Sequence, residues 1–205
     1  MCGRFTLRKI DDLQSRYGDT SFEPSYNLSP GQKILALTDK FQEIEWGFSP
    51  YWADKPFNLI NARLETLNEK PSFVNSNRCL IASDGWYEWE QTEDKKIPYF
   101  HHLNGETFFF GGIFGGYRGK VGCAIVTTSA VESLKPIHER MPLIISKNHY
   151  KNWLNGDEVD CMDTNLSKSI IHHSVSTHVN NPMNNDPKCV FPTKEVDGSD
   201  EELSE

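Results

Sequence analysis

Cys2, the second residue of the chain, offers the most distinctive chemistry in the sequence. Methionine aminopeptidase removes Met1 when the next residue is as small as cysteine, so the mature chain would begin with a free 1,2-aminothiol. An α-amine has a pKa of roughly 7.7 to 8.0, so part of it is nucleophilic at neutral pH. Its thiol can close a thiazolidine ring on an imine, which makes an aldehyde the natural electrophile. In an arbitrary protein, however, a small second residue usually only permits removal of Met1.

The motif DGWYEW places a carboxyl group among aromatic side chains. Strand alternation puts Trp86 and Glu88 on one face and Tyr87 and Trp89 on the other. A carboxyl group beside a tryptophan is partly desolvated, which raises its pKa and suits it to proton transfer near neutral pH. A glutamate at the rim of a sheet is nevertheless more often an ordinary solvated or paired acid.

Two further motifs supply groups that could act on a phosphorylated ligand. IHERMP contains His138, whose unperturbed pKa lies near physiological pH, and Arg140, whose forked guanidinium binds phosphate. NAR contains Asn61, which could orient a carbonyl or hydroxyl group, and Arg63, which could bind phosphate. A loop histidine considered alone is more often inert than catalytic.

Large aromatic side chains could provide stacking faces for unpaired bases, each worth roughly 1 to 3 kcal/mol where stacking occurs. Five such residues are Trp46, Tyr51, Trp52, Phe57 and Trp86. Because most large aromatics in a small domain belong to its core, at most two or three of them are expected to face a ligand.

Composition favours one soluble domain. The chain has 205 residues, of which 37% are hydrophobic and 12% aromatic, enough for one substantial core and short for two. No apolar run approaches the roughly 20 residues that cross a bilayer, and residues 1–30 lack the pattern of a signal peptide. A cytoplasmic protein without a membrane partner is therefore expected, and we expect a monomer.

The net charge of −8 argues at first against a nucleic-acid partner. Six acidic residues lie in 195–205, however, and without them 23 acidic and 21 basic residues leave a net charge of −2. A nearly neutral body can still carry a local basic groove. We expect a domain over 1–193 and a disordered acidic tail over 194–205.

The cysteine and histidine spacings predict neither a metal site nor a cofactor. The five cysteines form no CxxC pair, and their odd number does not suggest a disulfide framework. His101 and His102, like His172 and His173, are adjacent pairs without complementary cysteine or aspartate spacing.

The elements that would position these residues are mostly strands. CGRFTL reads as a strand, YNLSPGQ as a loop, and KILALT with IEWGF as a hairpin. RCLIASDGWYEWE, IPYFHHL, ETFFFGGIFGGY and VGCAIVTTSA predict an antiparallel meander. Ser146 and Gly156 would cap a helix over 147–154, a second helix is predicted over 165–171, and LINARLETL could be a short helix or an ordered loop. The predicted class is α+β, a β-rich domain with helices around a curved sheet.

The motifs together resemble the SOS response-associated peptidase (SRAP) family. MCGRF, YNLSPGQ, WGFSPYWADKP with NAR, RCLIASDGWYEW, TTSA and IHERMP occur in the family's order, and VSTHVNNP is similar to a later family segment. The resemblance covers about nine tenths of the chain and excludes the acidic tail. It implies a single β-rich domain with a barrel-like core and a groove for single-stranded DNA, in which abasic sites are shielded by a DNA-protein crosslink.

The resemblance also implies a role for each matching residue. Cys2 would attack the ring-opened C1′ aldehyde, and Asn61 would hold the cysteine and the sugar. Glu88 would move protons during imine formation and crosslink reversal, while His138 would assist ring opening and any strand-cleaving β-elimination. The implied DNA contacts, together with those argued above, are Arg4, Asn27, Trp52, Arg63, Trp86, Thr127 or Thr128, and Arg140.

Two other functions remain open on the sequence. The chain could be a cysteine peptidase with Cys2, His138 and Glu88 as nucleophile, base and partner, or one that only removes its own first residue. It could also be a non-catalytic module that binds single-stranded DNA through aromatics and arginines. Loss of peptide hydrolysis in a Cys2→Ala variant would favour the first, and binding that ignores abasic lesions would favour the second.

Overall fold

The computed structural model of the chain describes residues 2–157, 166 and 168–193. Most of the regular structure in these residues is β-strand, arranged in sheets of five and eight strands. The strands are β1 (Phe5–Leu7), β2 (Ser25–Leu28), β3 (Lys33–Leu37), β4 (Phe41–Trp46), β5 (Asn61–Arg63), β6 (Asn77–Ser83), β7 (Gly85–Gln91), β8 (Lys96–His102), β9 (Phe108–Tyr117), β10 (Lys120–Ser129), β11 (Arg140–Pro142), β12 (Ile144–Ile145) and β13 (Ile171–Ser174). The predicted β-rich α+β class is confirmed.

The described helices are short. They are α1 (Asp11–Tyr17), α2 (Tyr150–Asn155) and 3-10 helices at Leu64–Thr66, Lys147–His149, Thr177–Asn180 and Pro187–Cys189. The helix predicted over 147–154 is present as a 3-10 turn followed by α2, and Gly156 ends it in the left-handed conformation that glycine adopts without steric penalty. None of the helices in the described ranges is long and apolar enough to span a membrane.

Five strands of the larger sheet close into a ring. The order is β10, β4, β3, β6 and β9, and β9 pairs back onto β10. The hairpin of β3 and β4 is antiparallel, as predicted, whereas β10 pairs in parallel with β4 and with β5. The curved, barrel-like core is thus confirmed, and its strand pairing is mixed rather than purely antiparallel.

The predicted meander is wrong at one step. The single strand expected over 78–90 breaks at Asp84, so that β6 belongs to the barrel and β7 to the smaller sheet, whose order is β13, β8, β7, β1 and β2. Strand β8 therefore pairs with β7 and β13, while β9 pairs with β6. Gly85 follows the break and allows Phe100 of β8 to pack closely on β7, because a Cβ atom there would lie 2.3 Å from the ring of Phe100.

Two apolar clusters stabilise the two sheets. The main cluster fills the barrel and includes Cys2 and Trp86, while a second cluster packs Tyr87 and Phe100 against the segment that contains Val179. Neighbouring residues of β7 thus face opposite clusters, which is the predicted alternation.

Several expectations fall partly or wholly outside the described residues. The acidic tail over 194–205 belongs to this group, as do residues 165 and 167 of the second predicted helix, 165–171; residues 166 and 168 of that helix are helical, and its last residue, Ile171, begins β13. Four cysteines are described as free thiols, and all four are buried: Cys2, Cys79, Cys123 and Cys189.

Candidate active site and nucleic-acid interface

Cys2 lies directly before β1, and its side chain is fully buried. Its carbonyl oxygen accepts a 2.8 Å hydrogen bond from Nδ2 of Asn61. Asn61 is positioned by the parallel pairing of β5 with β10, in which it lies opposite Ile125. Oδ1 of Asn61 is buried and has no hydrogen-bond partner within the described part of the chain. This oxygen is therefore an acceptor that a ligand hydroxyl group could use.

A buried carboxylate anchors the strand that follows Cys2. Asp84 is fully buried and accepts a hydrogen bond from Oγ1 of Thr6 in β1. It also accepts from the backbone nitrogen of Arg8 at 2.8 Å and from Nε of Arg8 at 3.1 Å to each carboxylate oxygen. Charge-assisted hydrogen bonds are stronger than neutral ones, so Asp84 holds the amino-terminal strand against the junction of β6 and β7.

Glu88 is nearly inaccessible to solvent, with an exposed fraction of 4%. Burial raises its pKa to about 7, and the positive charge of the amino terminus opposes this shift. Burial also raises the pKa of the Cys2 thiol, and the charge of Glu88 adds to that increase. At neutral pH the carboxyl group of Glu88 is divided between protonated and ionised forms, so it can both accept and donate a proton.

His138 lies in the turn between β10 and β11 and is partly buried. Its Nδ1 accepts a 3.0 Å hydrogen bond from the backbone nitrogen of Arg140, so the neutral ring carries its proton on Nε2. Desolvation, and next the positive charge of the amino terminus, lower the pKa of His138. The same terminal charge also opposes the increase in the pKa values of Cys2 and Glu88, so one charge influences all three side chains.

Arg140 is engaged within the protein. Its Nη1 and Nη2 donate to the two carboxylate oxygens of Glu65 at 2.6 and 3.0 Å, and Nη2 also donates to the carbonyl oxygen of Thr127 at 2.7 Å. The bond from Arg140 holds the pKa of Glu65 below its usual value. Arg63 lies opposite Thr127 in the pairing of β5 with β10 and is exposed. Of these two arginines, Arg63 is the one whose exposure suits a phosphate contact.

Arg4 and Asn27 bind a carboxyl-terminal loop. Nη1 of Arg4 donates to Oδ1 of Asn27 at 2.9 Å and to the carbonyl oxygen of Val179 at 2.8 Å. Nδ2 of Asn27 lies 3.2, 3.1 and 2.7 Å from the carbonyl oxygens of Val179, Asn181 and Asn184. Since Asn27 is only 1% exposed, its expected place along the DNA groove is corrected to support of this loop.

Trp52 belongs to an exposed aromatic patch. It is 46% exposed, its Nε1 donates to the carbonyl oxygen of Pro71 at 3.2 Å, and its ring meets the edge of Phe57 at a centroid distance of 5.5 Å. A cavity of about 200 Å³ lies against Trp52, with Tyr51 and Pro71 among its lining residues. This patch offers apolar ring surface on the outside of the protein, as base stacking requires.

Trp86 lies in the core. Its side chain is fully buried and stacks on the ring of His101 at a centroid distance of 5.0 Å. Burial lowers the pKa of His101 to about 3, so this ring is neutral at physiological pH. Because a fully buried indole has no free face, the expected stacking of Trp86 on a DNA base is corrected to packing in the core, against His101, Phe108 and Phe110.

Thr6, Glu65 and Asp84 contact residues of the site and were not predicted from the sequence. Asp84 could have been predicted as a buried, paired acid, since it is an isolated acidic residue within an apolar strand pattern. The role of Glu65 could not have been predicted from the sequence, because its partner Arg140 lies 75 positions further along the chain.

The fold and the site define a barrel-like β domain in which Cys2, the second residue of the chain, and the carboxyl group of Glu88 are both buried. The chain belongs to the SOS response associated peptidase (SRAP) family, whose model matches residues 1–182. This match confirms the resemblance drawn from the motifs.

Relatives and solved structures resemble the chain over most of its length. The abasic site processing protein YoqW of Bacillus subtilis (strain 168) is 34% identical over 93% of this chain and 99% of its own. The abasic site processing protein YedK of Escherichia coli (strain K12) is 30% identical over 94% and 100%. A crystal structure of a protein from Bacteroides thetaiotaomicron shares the fold, with a TM-score of 0.78 at 23% identity over 94% of this chain and 100% of that one.

Proposed function

We propose that this protein processes abasic sites in single-stranded DNA and bonds covalently to the lesion through Cys2. The observation that carries the proposal is the environment of Cys2, whose carbonyl group is held by Asn61 and whose surroundings include a carboxyl group with a pKa of about 7, that of Glu88. The names of the relatives YoqW and YedK support the choice of lesion.

The order of bond formation follows from the properties of Cys2. Once Met1 is removed, the α-amine of Cys2 attacks the C1′ aldehyde of the ring-opened sugar, and loss of water gives an imine. The thiol then adds to the imine carbon, the proton leaves sulfur, a proton is taken up by nitrogen, and a thiazolidine results. Because burial raises the pKa of this thiol, it stays protonated at neutral pH, and the amine attacks first.

Glu88 and His138 suit the two kinds of proton transfer that this chemistry needs. Glu88 can accept the thiol proton in its ionised form and protonate the departing hydroxyl group in its neutral form. Nε2–H of His138 is a donor that can assist opening of the deoxyribose. Nδ1 of the neutral ring is not available as a proton acceptor, because it already accepts a hydrogen bond from the backbone nitrogen of Arg140.

Single-stranded DNA would be held by one charged contact and one stacking contact. Arg63 is exposed on β5, the strand that also contains Asn61, and would bind the phosphate next to the lesion. Trp52 would stack on an unpaired base, a contact that tolerates any sequence.

A cysteine peptidase acting through Cys2 is less well supported. Such an enzyme attacks with a thiolate, which requires a lowered thiol pKa and a cationic imidazole nearby. Here the pKa of Cys2 is raised and that of His138 is lowered, so both groups are neutral at physiological pH. Neutral groups suit imine chemistry better than thiolate attack on a peptide.

The test is denaturing gel electrophoresis of the protein, with Met1 shown to be absent by mass spectrometry, after incubation with single-stranded DNA that contains one abasic site. We expect a heat-stable shifted band that Cys2→Ser abolishes and that the matched variant Cys79→Ser, also at a fully buried thiol, retains. No band from folded, correctly processed protein would refute the crosslink, and a stable band from Cys2→Ser would refute the thiazolidine.

A further inference from the structure

Three side chains of different chemistry converge near the carboxyl-terminal end of the described chain. His178, Asp186 and Cys189 each offer one donor atom, and these atoms lie within 4.8 Å of one another. They belong to the two 3-10 helices Thr177–Asn180 and Pro187–Cys189 and to the turn between them. None of the three takes part in the chemistry proposed for Cys2.

Each of these groups is held in place by contacts of the loop. Nε2 of His178 lies 2.9 Å from Oδ2 of Asp186, while Oδ1 of Asp186 accepts from the backbone nitrogen of Lys188 at 2.8 Å. The thiol of Cys189 is fully buried and lies 3.5 Å from the carbonyl oxygen of Asn184. Burial raises the pKa of this thiol, and the nearby charge of Asp186 adds to the increase.

We propose that His178, Asp186 and Cys189 form a binding site for a divalent transition metal ion, with zinc as the best match. Imidazole, carboxylate and thiolate are the ligands that zinc takes in proteins, and three of them leave a fourth tetrahedral position for water. The mixture of nitrogen, oxygen and sulfur donors does not suit magnesium or calcium, which take oxygen ligands.

Only a small movement separates the present geometry from coordination. Tetrahedral zinc with bonds of about 2.0 to 2.3 Å needs donor atoms separated by roughly 3.5 Å, so the widest gap must close by about 1 Å. The carboxylate of Asp186 is 43% exposed and the ring of His178 is 29% exposed, so water can replace the hydrogen bonds that either group gives up as it turns toward the metal. Binding would release the thiol proton of Cys189 to solvent, and Nε2 of His178 would bind the metal with the ring proton on Nδ1. Nδ2 of Asn184 now lies 3.1 Å from Nδ1 and 2.7 Å from the carbonyl oxygen of His178, so the Asn184 amide would turn to present its oxygen to the Nδ1 proton.

The site is connected to the amino-terminal strand. Backbone carbonyls of the same loop accept the hydrogen bonds from Arg4 and Asn27, and Val179 and Cys189 share one apolar cluster with Tyr87 of β7. A bound ion would therefore fix the loop on which the side chain of Arg4 rests.

The test is a titration of Co²⁺ into Cys2→Ala protein without an affinity tag, followed by absorbance. The Cys2→Ala background is needed because a free amino-terminal cysteine is itself a chelating aminothiol. We expect one equivalent of Co²⁺ with a thiolate charge-transfer band in the near ultraviolet. The band should disappear when Cys189→Ser is added and persist when Cys79→Ser is added instead.

A competition titration with a zinc chelator provides the second readout. His178→Gln keeps the buried thiol and should weaken zinc binding by at least about tenfold, which decides the question even if Cys189→Ser does not fold. Absence of the Co²⁺ band from the folded Cys2→Ala protein, a band that survives Cys189→Ser, or unchanged zinc affinity in His178→Gln would overturn the proposal. DNA is absent from every step, so the result is independent of the crosslinking test.

Discussion

The amide of Asn61 holds the backbone of Cys2, a residue 59 positions earlier in the chain, through a 2.8 Å hydrogen bond to its carbonyl oxygen. The contact joins the amino-terminal segment to β5 and hence to β10 of the barrel. The segment that contains Cys2 precedes β1, yet it is fixed to a strand of the barrel. Under the proposed mechanism this bond sets the direction from which the amine meets the aldehyde.

Asn61→Ala should therefore slow crosslinking more than it weakens DNA binding. We expect a single-turnover rate on abasic DNA about tenfold lower, since positioning losses of this kind correspond to roughly 1 to 2 kcal/mol of hydrogen-bond energy. Asn155→Ala, at the exposed end of α2, is the control and should react normally. Equal rates for Asn61→Ala and Asn155→Ala would contradict a positioning role.

The pH dependence of crosslinking should report on Glu88. Its pKa is raised by burial to about 7, so its ionised fraction grows through neutral pH. A role as base predicts that the rate relative to Glu88→Gln rises with pH and levels off above about 7. Glu88→Gln should be slower by a factor on the order of 10². The amine of Cys2 titrates in both proteins, so the ratio of their rates between pH 5 and 8 isolates Glu88. A ratio that does not change with pH would count against this role.

Asp84 should contribute to stability as well as to the site. Asp84→Asn removes one charge of a buried pair with Arg8, and breaking such a pair lowers the free energy of unfolding by roughly 3 to 5 kcal/mol. Denaturant unfolding followed by tryptophan fluorescence measures this difference. Glu132→Gln, which breaks the exposed pair with Lys135, is the control and should change little. Similar unfolding midpoints for the two variants would show that Asp84 does not anchor β1.

The sequence predicted those parts of the fold that follow from local patterns. The hairpin of β3 and β4 and the alternation of Trp86 and Tyr87 were correct because both depend on neighbouring residues. The helix α1 was missed because it buries only Leu13 and so has no apolar stripe. YNLSPGQ was assigned to a loop on its Asn, Pro and Gly, yet its first residues complete β2, which pairs with β1.

Features that depend on distant contacts were not predictable. Because of the break at Asp84, β7 and β8 lie in a different sheet from β6 and β9. The residue pattern of a single strand does not determine which other strand pairs with it. Asn61 was expected in a short helix or loop, but parallel pairing with β10 makes the segment a strand. The partners of polar residues were the most difficult feature to predict. Asn27 and Arg140 are of residue types that suit DNA contact, yet both form hydrogen bonds to residues far away in the chain.

Arg63 should supply a phosphate contact, because it is exposed on the strand that holds Asn61. Arg63→Ala is expected to weaken binding of single-stranded DNA and to reduce the slope of log affinity against log salt by about 0.7, the value for one lost contact to a single strand. Fluorescence anisotropy over a range of salt concentrations measures both. Lys40→Ala, in the exposed turn between β3 and β4, is the charge-matched control, and an equal change of slope in the two variants would argue against a specific contact.

Substitution of Trp52 should weaken DNA binding, whereas substitution of Trp86 should lower the stability of the protein. The two effects distinguish a side chain that stacks on a base from one that packs in the core. Trp52→Ala removes a ring that is 46% exposed, so it should leave the unfolding midpoint nearly unchanged and weaken single-stranded DNA binding by about 1 to 3 kcal/mol. Trp86→Phe shrinks a fully buried side chain that stacks on His101, so it should lower the free energy of unfolding by roughly 1 to 3 kcal/mol through the space left in the core. Its DNA affinity should stay normal wherever the protein remains folded. Fluorescence anisotropy measures the DNA affinity of both variants, and denaturant unfolding measures their stability. A loss of affinity in Trp86→Phe but not in Trp52→Ala would contradict base stacking on the exposed patch.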